Sequence, residues 1–133
     1  MLNQDLLHLM NQRVRYINKK LNESLQKHDL YNSQWSILYY LYKNGTKTQK
    51  EIMNYFHVNA PTITRTVKRM EENGWIRRVE GSDRRERYIE LTKESKEKYK
   101  EIENAVSEHE AEILSNLSVK EKKTLFDLLQ KIE

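Results

Sequence analysis

The sequence predicts a mainly α-helical protein with one small β-hairpin, an α+β chain in which helices dominate. Along most of the 133 residues, apolar side chains recur at steps of three and four, the spacing of amphipathic helices. Only three glycines and one proline interrupt the chain, and 33% of its residues are charged, a composition typical of helices. One short region instead alternates apolar and polar residues on both sides of a charged tip, which is typical of a hairpin.

The first two predicted helices are long and amphipathic. The first covers about residues 3–27, and its apolar positions are Leu6, Met10, Val14, Ile17, Leu21 and Leu25. The second covers "QWSILYYLYKN", with Ser33 or Asn32 as its N-cap and Gly45 at its end. Its expected inner face carries Trp35, Leu38, Leu41 and Tyr42.

The third and fourth helices are separated by a short turn, "HVN". Thr48 and Glu51 have the spacing of a capping box at the start of the third helix. Asn59 is the expected N-cap of the fourth helix, Pro61 lies in its first turn, and Gly74 marks its end. Two helices joined in this way predict a helix-turn-helix.

The hairpin and two further helices complete the chain. The strands are expected in "WIRRVEG" and "RYIELT". Thr92 then caps a long helix that reaches about Asn116, and Ser118 with Glu121 forms a capping box for the last helix. The long helix carries a seam with coiled-coil-like steps, formed by Tyr99, Ile102, Val106, His109, Ile113 and Leu117.

This order predicts a winged helix-turn-helix core over residues 33–92, flanked by long N- and C-terminal dimerisation helices over residues 1–32 and 93–133. The terminal seams are longer than the core can cover, so we expect them to pack against a second copy. The alternative is a monomer whose seams close on each other. The expected interface residues are Leu2, Leu6, Leu7, Ile113, Leu117, Leu125, Leu128, Leu129 and Ile132.

Composition and motifs exclude several functional classes. Without cysteine there is no disulfide, thiolate metal site or thiol redox switch. The spaced apolar residues of the N-terminus do not resemble a signal peptide, and no apolar run is long enough to cross a bilayer, so we expect a cytoplasmic protein with no membrane partner. Four scattered histidines, and the lack of a Gly-rich phosphate loop or nucleophile motif, argue against an enzyme, a metal site or a cofactor.

The arginines are concentrated in one region. The net charge is only +4, but seven of the nine arginines fall within residues 65–87, where Lys68 is the one lysine. The planar guanidinium group fits phosphates and base edges. This clustering favours double-stranded DNA as the partner, the alternative being a basic face that only meets solvent.

The fourth helix has one apolar face and one basic face. On a helical wheel Ile63, Val67 and Met70 point inward, while Pro61, Arg65 and Lys68 lie opposite, flanked by Arg69 and Thr62. We expect this outer face to enter the major groove, where Arg65 can donate two hydrogen bonds to guanine. Phosphate contacts are expected from Lys47, Arg77, Arg78 or Arg87.

The hairpin tip, "GSDRRERYIELT", carries Arg84, Arg85 and Arg87. A tip beside the recognition helix reaches the minor groove or the DNA backbone, where an inserted arginine is stabilised by the negative potential. Asp83 can hold the Arg85 guanidinium in an extended pose. Alternatively, Asp83 caps its own turn.

Two segments resemble the MarR family of bacterial transcriptional regulators: "DRRERYIELT" in the wing and "HVNAPTITRTVKRMEENGWIRR" around the recognition helix. The resemblance implies a triangular homodimer with interlocked terminal helices that binds a pseudopalindromic operator, usually as a repressor. It also implies release by a small, often phenolic or aromatic, ligand. By motif, Arg85 is the minor-groove arginine and Asp83 its orienting partner, and Pro61, Thr62, Thr64 and Arg65 lie at or near the major groove. Asn59 is a further candidate DNA contact.

An effector ligand is expected where the first, second and fifth helices meet the winged core. The candidate wall residues are His8, Arg13, Tyr16, Trp35 and Tyr39. Aromatic residues at helical spacing also serve as core, and the protein can lack a ligand. Two rival functions stay open: a winged-helix module that binds protein instead of DNA, and an activator with the same mode of DNA binding.

Overall fold

The computed structural model describes residues 1–81, 83 and 87–133. It confirms a mainly helical chain with a small antiparallel sheet. A 3₁₀ turn, Gln26–His28, follows the first helix. The helices and strands are α1 Leu2–Leu25, α2 Asn32–Asn44, β1 Lys47–Thr48, α3 Gln49–Phe56, α4 Ala60–Glu72, β2 Ile76–Glu80, β3 Arg87–Leu91, α5 Lys93–Ile113 and α6 Val119–Gln130.

Four helices begin at the N-caps that the sequence predicts. The Thr48 hydroxyl accepts the N–H of Glu51 at 3.1 Å, and the Asn59 side chain accepts the N–H of Thr62 at 3.0 Å. Thr92 and Ser118 accept in the same way at the starts of α5 and α6. Each bond satisfies a backbone donor that the first turn would otherwise leave without a partner.

The start of α2 differs from the prediction. Its N-cap is Tyr31, not Ser33 or Asn32. The side-chain amide of Asn32 donates to Asn18 at 2.6 Å, and its backbone N–H donates to the Asn22 side chain at 2.6 Å. Asn32 is therefore drawn into a tertiary contact with α1, which a local capping rule does not consider.

The sheet has three strands in the order β1-β3-β2, not the two that were predicted. β2 and β3 form the hairpin, with Arg77 opposite Glu90 and Arg78 opposite Ile89. The additional strand, β1, pairs Lys47 with Ile89 along the other edge of β3. Trp75 was expected within a strand but precedes β2, and its N–H donates to Met70 at the end of α4.

A single hydrophobic core joins the helix-turn-helix to the long helices. Buried side chains of α4 and the sheet pack with Leu21 and Leu25 of α1 and with Tyr99, Ile102 and Val106 of α5. The Tyr99 ring stacks against Trp35 at 5.2 Å and against Tyr42 at 3.6 Å. Tyr42, expected on an inner face, is 37% exposed at the edge of this stack.

The terminal helices expose apolar side chains on the isolated chain. All α6 residues are exposed, as is most of the N-terminal half of α1. Leu2, at 79%, and Leu128, at 53%, show the extent of this exposure. In the described part of the chain, no helix combines the length and apolar character that a membrane span requires.

Candidate nucleic-acid interface

Local interactions fix the angle between α3 and α4. At the start of α3, the backbone N–H of Thr48 donates to the carboxylate of Glu51 at 3.2 Å. This bond is the main cause of a lowered pKa of Glu51, and the Thr48 hydroxyl adds to it. At the end of α3, His57 adopts a left-handed conformation with φ of 54°, which turns the chain directly into the N-cap of α4.

Burial of one face of α4 determines which side chains face outward. Ile63 is 3% exposed, and Val67 and Met70 are fully buried. This fixes the rotation of the helix about its axis, so that the opposite face projects from the molecule. The structure places every predicted outer residue on or beside this face, with Thr62 half-buried and the others exposed: Pro61, Thr62, Thr64, Arg65, Lys68 and Arg69.

A shallow groove of about 430 Å³ lies along α4, between its basic flank and the start of α2. Arg65, Lys68 and Arg69 line one side, and Ser33 and Tyr31 line the other. Ser33 and Tyr31 were not predicted at this interface. Only their position next to α4 in the folded chain reveals them.

Gln49 was also missed. Its side-chain amide donates to the Thr64 hydroxyl at 3.0 Å, so the first residue of α3 is joined to the outer face of α4. The sequence offered one signal for this contact: a side chain that can form hydrogen bonds stands directly after the Thr48 cap. This hydrogen bond can therefore orient the Thr64 hydroxyl.

The arginines of the sheet are held by carboxylates. The Arg77 guanidinium pairs with Glu90 across the two strands, and the second Glu90 oxygen accepts from Thr46 at 3.4 Å. Arg78 pairs with Glu71 at 3.5 Å, which ties β2 to α4. These bonds use the Nε side of each guanidinium, so its terminal nitrogens are the groups that can meet phosphate.

The wing is described in part. Arg87 begins β3 and is exposed, and Asp83 is exposed on the loop before it. Arg84 and Arg85, the residues for which a minor-groove role was predicted, lie outside the described residues. The described ladder between β2 and β3 ends at the pair Glu80 and Arg87.

The five residues expected at a ligand site do not form one wall. Trp35 is 6% exposed and belongs to the core, stacked on Tyr99. Tyr39 is 47% exposed on α2, and Tyr16 is 48% exposed on α1. His8 and Arg13, which also lie on α1, are exposed as well. The ligand site therefore stays a prediction.

Comparison with known proteins agrees with this geometry. A model of the MarR family matches residues 30–86. The uncharacterized HTH-type transcriptional regulator YwoH of Bacillus subtilis (strain 168) is 47% identical over 128 residues, covering 96% of this chain and 93% of the relative.

Solved structures show the same fold over nearly the whole chain. A cysteine-to-serine mutant of MarR from E. coli, complexed with operator DNA, has a TM-score of 0.88 at 25% identity, covering 96% of this chain and 93% of the other. A probable transcriptional regulator from Pseudomonas aeruginosa also scores 0.88, at 22% identity, with all of both chains covered. With a relative this similar along its whole length, the chain belongs to the MarR family of helix-turn-helix transcriptional regulators.

Proposed function

We propose that this protein binds operator DNA as a homodimer, with α4 in the major groove and the wing at the minor groove, and that it acts as a repressor. One observation carries the proposal: burial of Ile63, Val67 and Met70 turns the basic face of α4 outward. Arg65 then has the position and chemistry to contact guanine, and Lys68 and Arg69 can bind phosphates on either side.

The conformation of the chain supports DNA binding. The same E. coli MarR mutant has a TM-score of 0.88 in its operator complex and 0.78 in a second crystal structure. Identity is 25% in both comparisons, so the difference is one of conformation. The chain thus superposes more closely on the operator complex of this mutant, which supports DNA binding.

The exposed terminal helices support a dimer. Their apolar side chains form a surface that a monomer would leave in water at an unfavourable free energy. Residues of the predicted seam are half-buried or exposed on the single chain. Leu125, Leu128 and Leu129 share one face of α6, and Ile132 lies just after the helix ends. A twofold axis through this seam would set the two α4 helices about one DNA turn apart, roughly 34 Å.

The decisive experiment selects bound fragments from the source genome with purified protein and determines the motif. We expect a twofold-symmetric site with half-sites about 10 base pairs apart. Arg65→Ala and Arg85→Ala should each weaken binding to this site by about 1–3 kcal/mol. Arg15→Ala, an exposed arginine of α1, is the matched control and should bind normally. If no fragment is enriched in dilute buffer, the proposal is wrong.

The two rival functions make different predictions. A winged-helix module that binds protein would capture its partner equally well after Arg65→Ala, and would select no DNA. An activator would select the same kind of site, so the position of that site relative to the promoter distinguishes it from a repressor.

Operator binding also places the protein with the chromosome, in the cytoplasm.

A small effector ligand completes the proposal. A ligand weakens operator binding only if it binds the DNA-incompetent arrangement more tightly than the competent one. In a dimer, His8, Arg13 and Tyr16 of one α1 can approach Tyr39 on α2 of the partner copy. Phenolic and aromatic compounds that lower the operator affinity in a titration would support this site.

A further inference from the structure

Two asparagines of the chain, Asn44 and Asn73, are each followed directly by glycine. The first pair stands at the end of α2 and the second at the end of α4, and all four residues are exposed. An asparagine in this position can lose its side-chain amide without an enzyme, because glycine has no Cβ that shields its backbone nitrogen. Since both pairs share this chemistry, a difference in their reactivity must come from the fold.

Hydrogen bonds restrain the pair Asn44 and Gly45. The side-chain NH₂ of Asn44, which is the leaving group of the reaction, donates to the Tyr40 carbonyl at 3.0 Å. The N–H of Gly45, which carries the attacking nitrogen, donates to the Leu41 carbonyl at 2.8 Å in a regular helical bond. Cyclisation at Asn44 must break both bonds, which raises its barrier.

The pair Asn73 and Gly74 is restrained less. The Asn73 side chain forms no hydrogen bond with a described residue, and it borders a polar groove of about 620 Å³ beside α5. Asn73 is the C-cap of α4 and lies outside the regular helix, with ψ of 1°. The N–H of Gly74 donates to the Glu71 carbonyl at 3.1 Å, a longer bond than that of Gly45. A single, longer hydrogen bond therefore opposes cyclisation at Asn73.

We propose that Asn73 is a site of spontaneous deamidation in the folded protein. The backbone nitrogen of Gly74 attacks Cγ of Asn73, and a C–N bond forms between them. The bond from Cγ to the side-chain nitrogen breaks, and ammonia leaves with the proton that Gly74 gives up. Water then opens the cyclic succinimide at either of its carbonyl groups and leaves aspartate or isoaspartate. The whole reaction consumes one water molecule and releases one ammonia molecule.

The turn that this reaction alters joins α4 to the wing and to α5. The N–H of Trp75 donates to the Met70 carbonyl at 2.9 Å, which closes the end of α4. The hydroxyl of Thr92, the N-cap of α5, donates to the Gly74 carbonyl at 2.7 Å. Isoaspartate adds a methylene group to the backbone between residues 73 and 74, so the turn cannot keep all of these contacts. Deamidation should therefore disturb how α4 is held against β2 and α5.

The test compares the two asparagines within the same full-length protein. Folded protein is incubated in mildly alkaline buffer, and aspartate and isoaspartate at positions 44 and 73 are quantified over time by peptide mapping. In a parallel sample unfolded in guanidinium chloride, both positions should react at similar rates. In the folded protein Asn73 should react at least about fivefold faster than Asn44, the factor that one further hydrogen bond supplies. Equal rates in the folded protein, a faster reaction at Asn44, or no product at Asn73 while the unfolded sample converts, would overturn the proposal.

A matched pair of variants tests the site and its consequence. Asn73→Gln has a longer side chain that cyclises poorly and should abolish the product at this position, whereas Asn44→Gln should leave it unchanged. Product at Asn73 that falls equally in both variants would contradict the assignment. If Asn73→Gln does not fold, the time course of the parent protein decides.

The effect on DNA rests on the proposed function and is measured separately, by operator titration before and after incubation. Affinity should fall in the parent protein and persist in Asn73→Gln, and an equal loss in both would show that the altered turn does not affect binding. The peptide map decides the modification site itself even for a protein that binds no DNA, so failure of the site and failure of the proposed function are distinguishable.

Discussion

Asn59 caps α4 and is also a proposed DNA contact, and substitutions can separate the two roles. Its side-chain oxygen accepts the N–H of Thr62 at 3.0 Å and thereby caps α4. Asn59→Ala removes the bond, and loss of such a cap costs about 1 kcal/mol of stability. For a chain of this size we expect the midpoint of thermal unfolding to fall by about 4 °C at fixed protein concentration.

Asn59→Asp should have opposite effects on folding and on DNA binding. The carboxylate keeps the acceptor and places a negative charge at the positive end of the helix, which stabilises by about 0.3–1 kcal/mol. In the proposed complex the same charge would face the DNA backbone. At about 5 Å in water, repulsion from one phosphate is about 0.8 kcal/mol, which corresponds to a roughly fourfold loss of operator affinity.

Thermal unfolding by circular dichroism and operator titration by fluorescence anisotropy measure the two effects. Asn104→Asp, at an exposed position on α5, controls for the change in net charge and should leave operator affinity nearly unchanged. The loss in Asn59→Asp should shrink as salt is added, because screening weakens the repulsion. Equal destabilisation by Ala and Asp, or unchanged affinity in the Asp variant, would refute the reasoning.

Three further predictions concern the dimer, the core and the response to acid. Leu117→Asp with Leu128→Asp should convert a dimer into a monomer, since it places charges in the apolar seam; a dimeric mass in sedimentation would contradict this. Tyr99→Phe should raise the lowered pKa of Glu103 toward its ordinary value in an NMR titration, because the Tyr99 hydroxyl is the main cause of that lowering; an unchanged pKa of Glu103 would exclude this interaction. The pKa of Glu121 is lowered, chiefly because the backbone N–H of Ser118 donates to its carboxylate. The ionised carboxylate therefore stabilises the folded state above the ordinary carboxyl pKa, and this stabilisation is lost as the pH falls through the lower pKa of the folded state. Glu121→Gln should therefore lose less stability than the parent between about pH 5 and pH 3, and an identical loss would exclude this carboxylate as a cause.

The sequence was most informative where structure depends on neighbouring residues. The caps at Thr48, Asn59, Thr92 and Ser118 join side chains and backbone groups three residues apart. Such a bond forms wherever the helix starts, so its spacing can be recognised without the rest of the fold. The buried face of α4 was predictable for the same reason, because helical periodicity alone specifies it.

Features that depend on distant residues were not predictable. Asn32 caps no helix because Asn18 and Asn22, on another helix, bind it instead. β1 has only two residues and no alternating pattern, and it exists because Ile89 and Tyr88 of β3 lie beside it. Ser33 and Gln49 reach the candidate interface through the packing of α2 and α3 on α4, which no local motif records.

The shared core has a mechanical consequence for regulation. Leu25 of α1 and Val106 of α5 pack in the same apolar cluster as Val67 of α4. A displacement of α4 is therefore coupled to these two long helices. In the proposed dimer, a signal that changes the distance between the two α4 helices would have to move α1 and α5 as well, so side chains remote from the double helix would influence that distance.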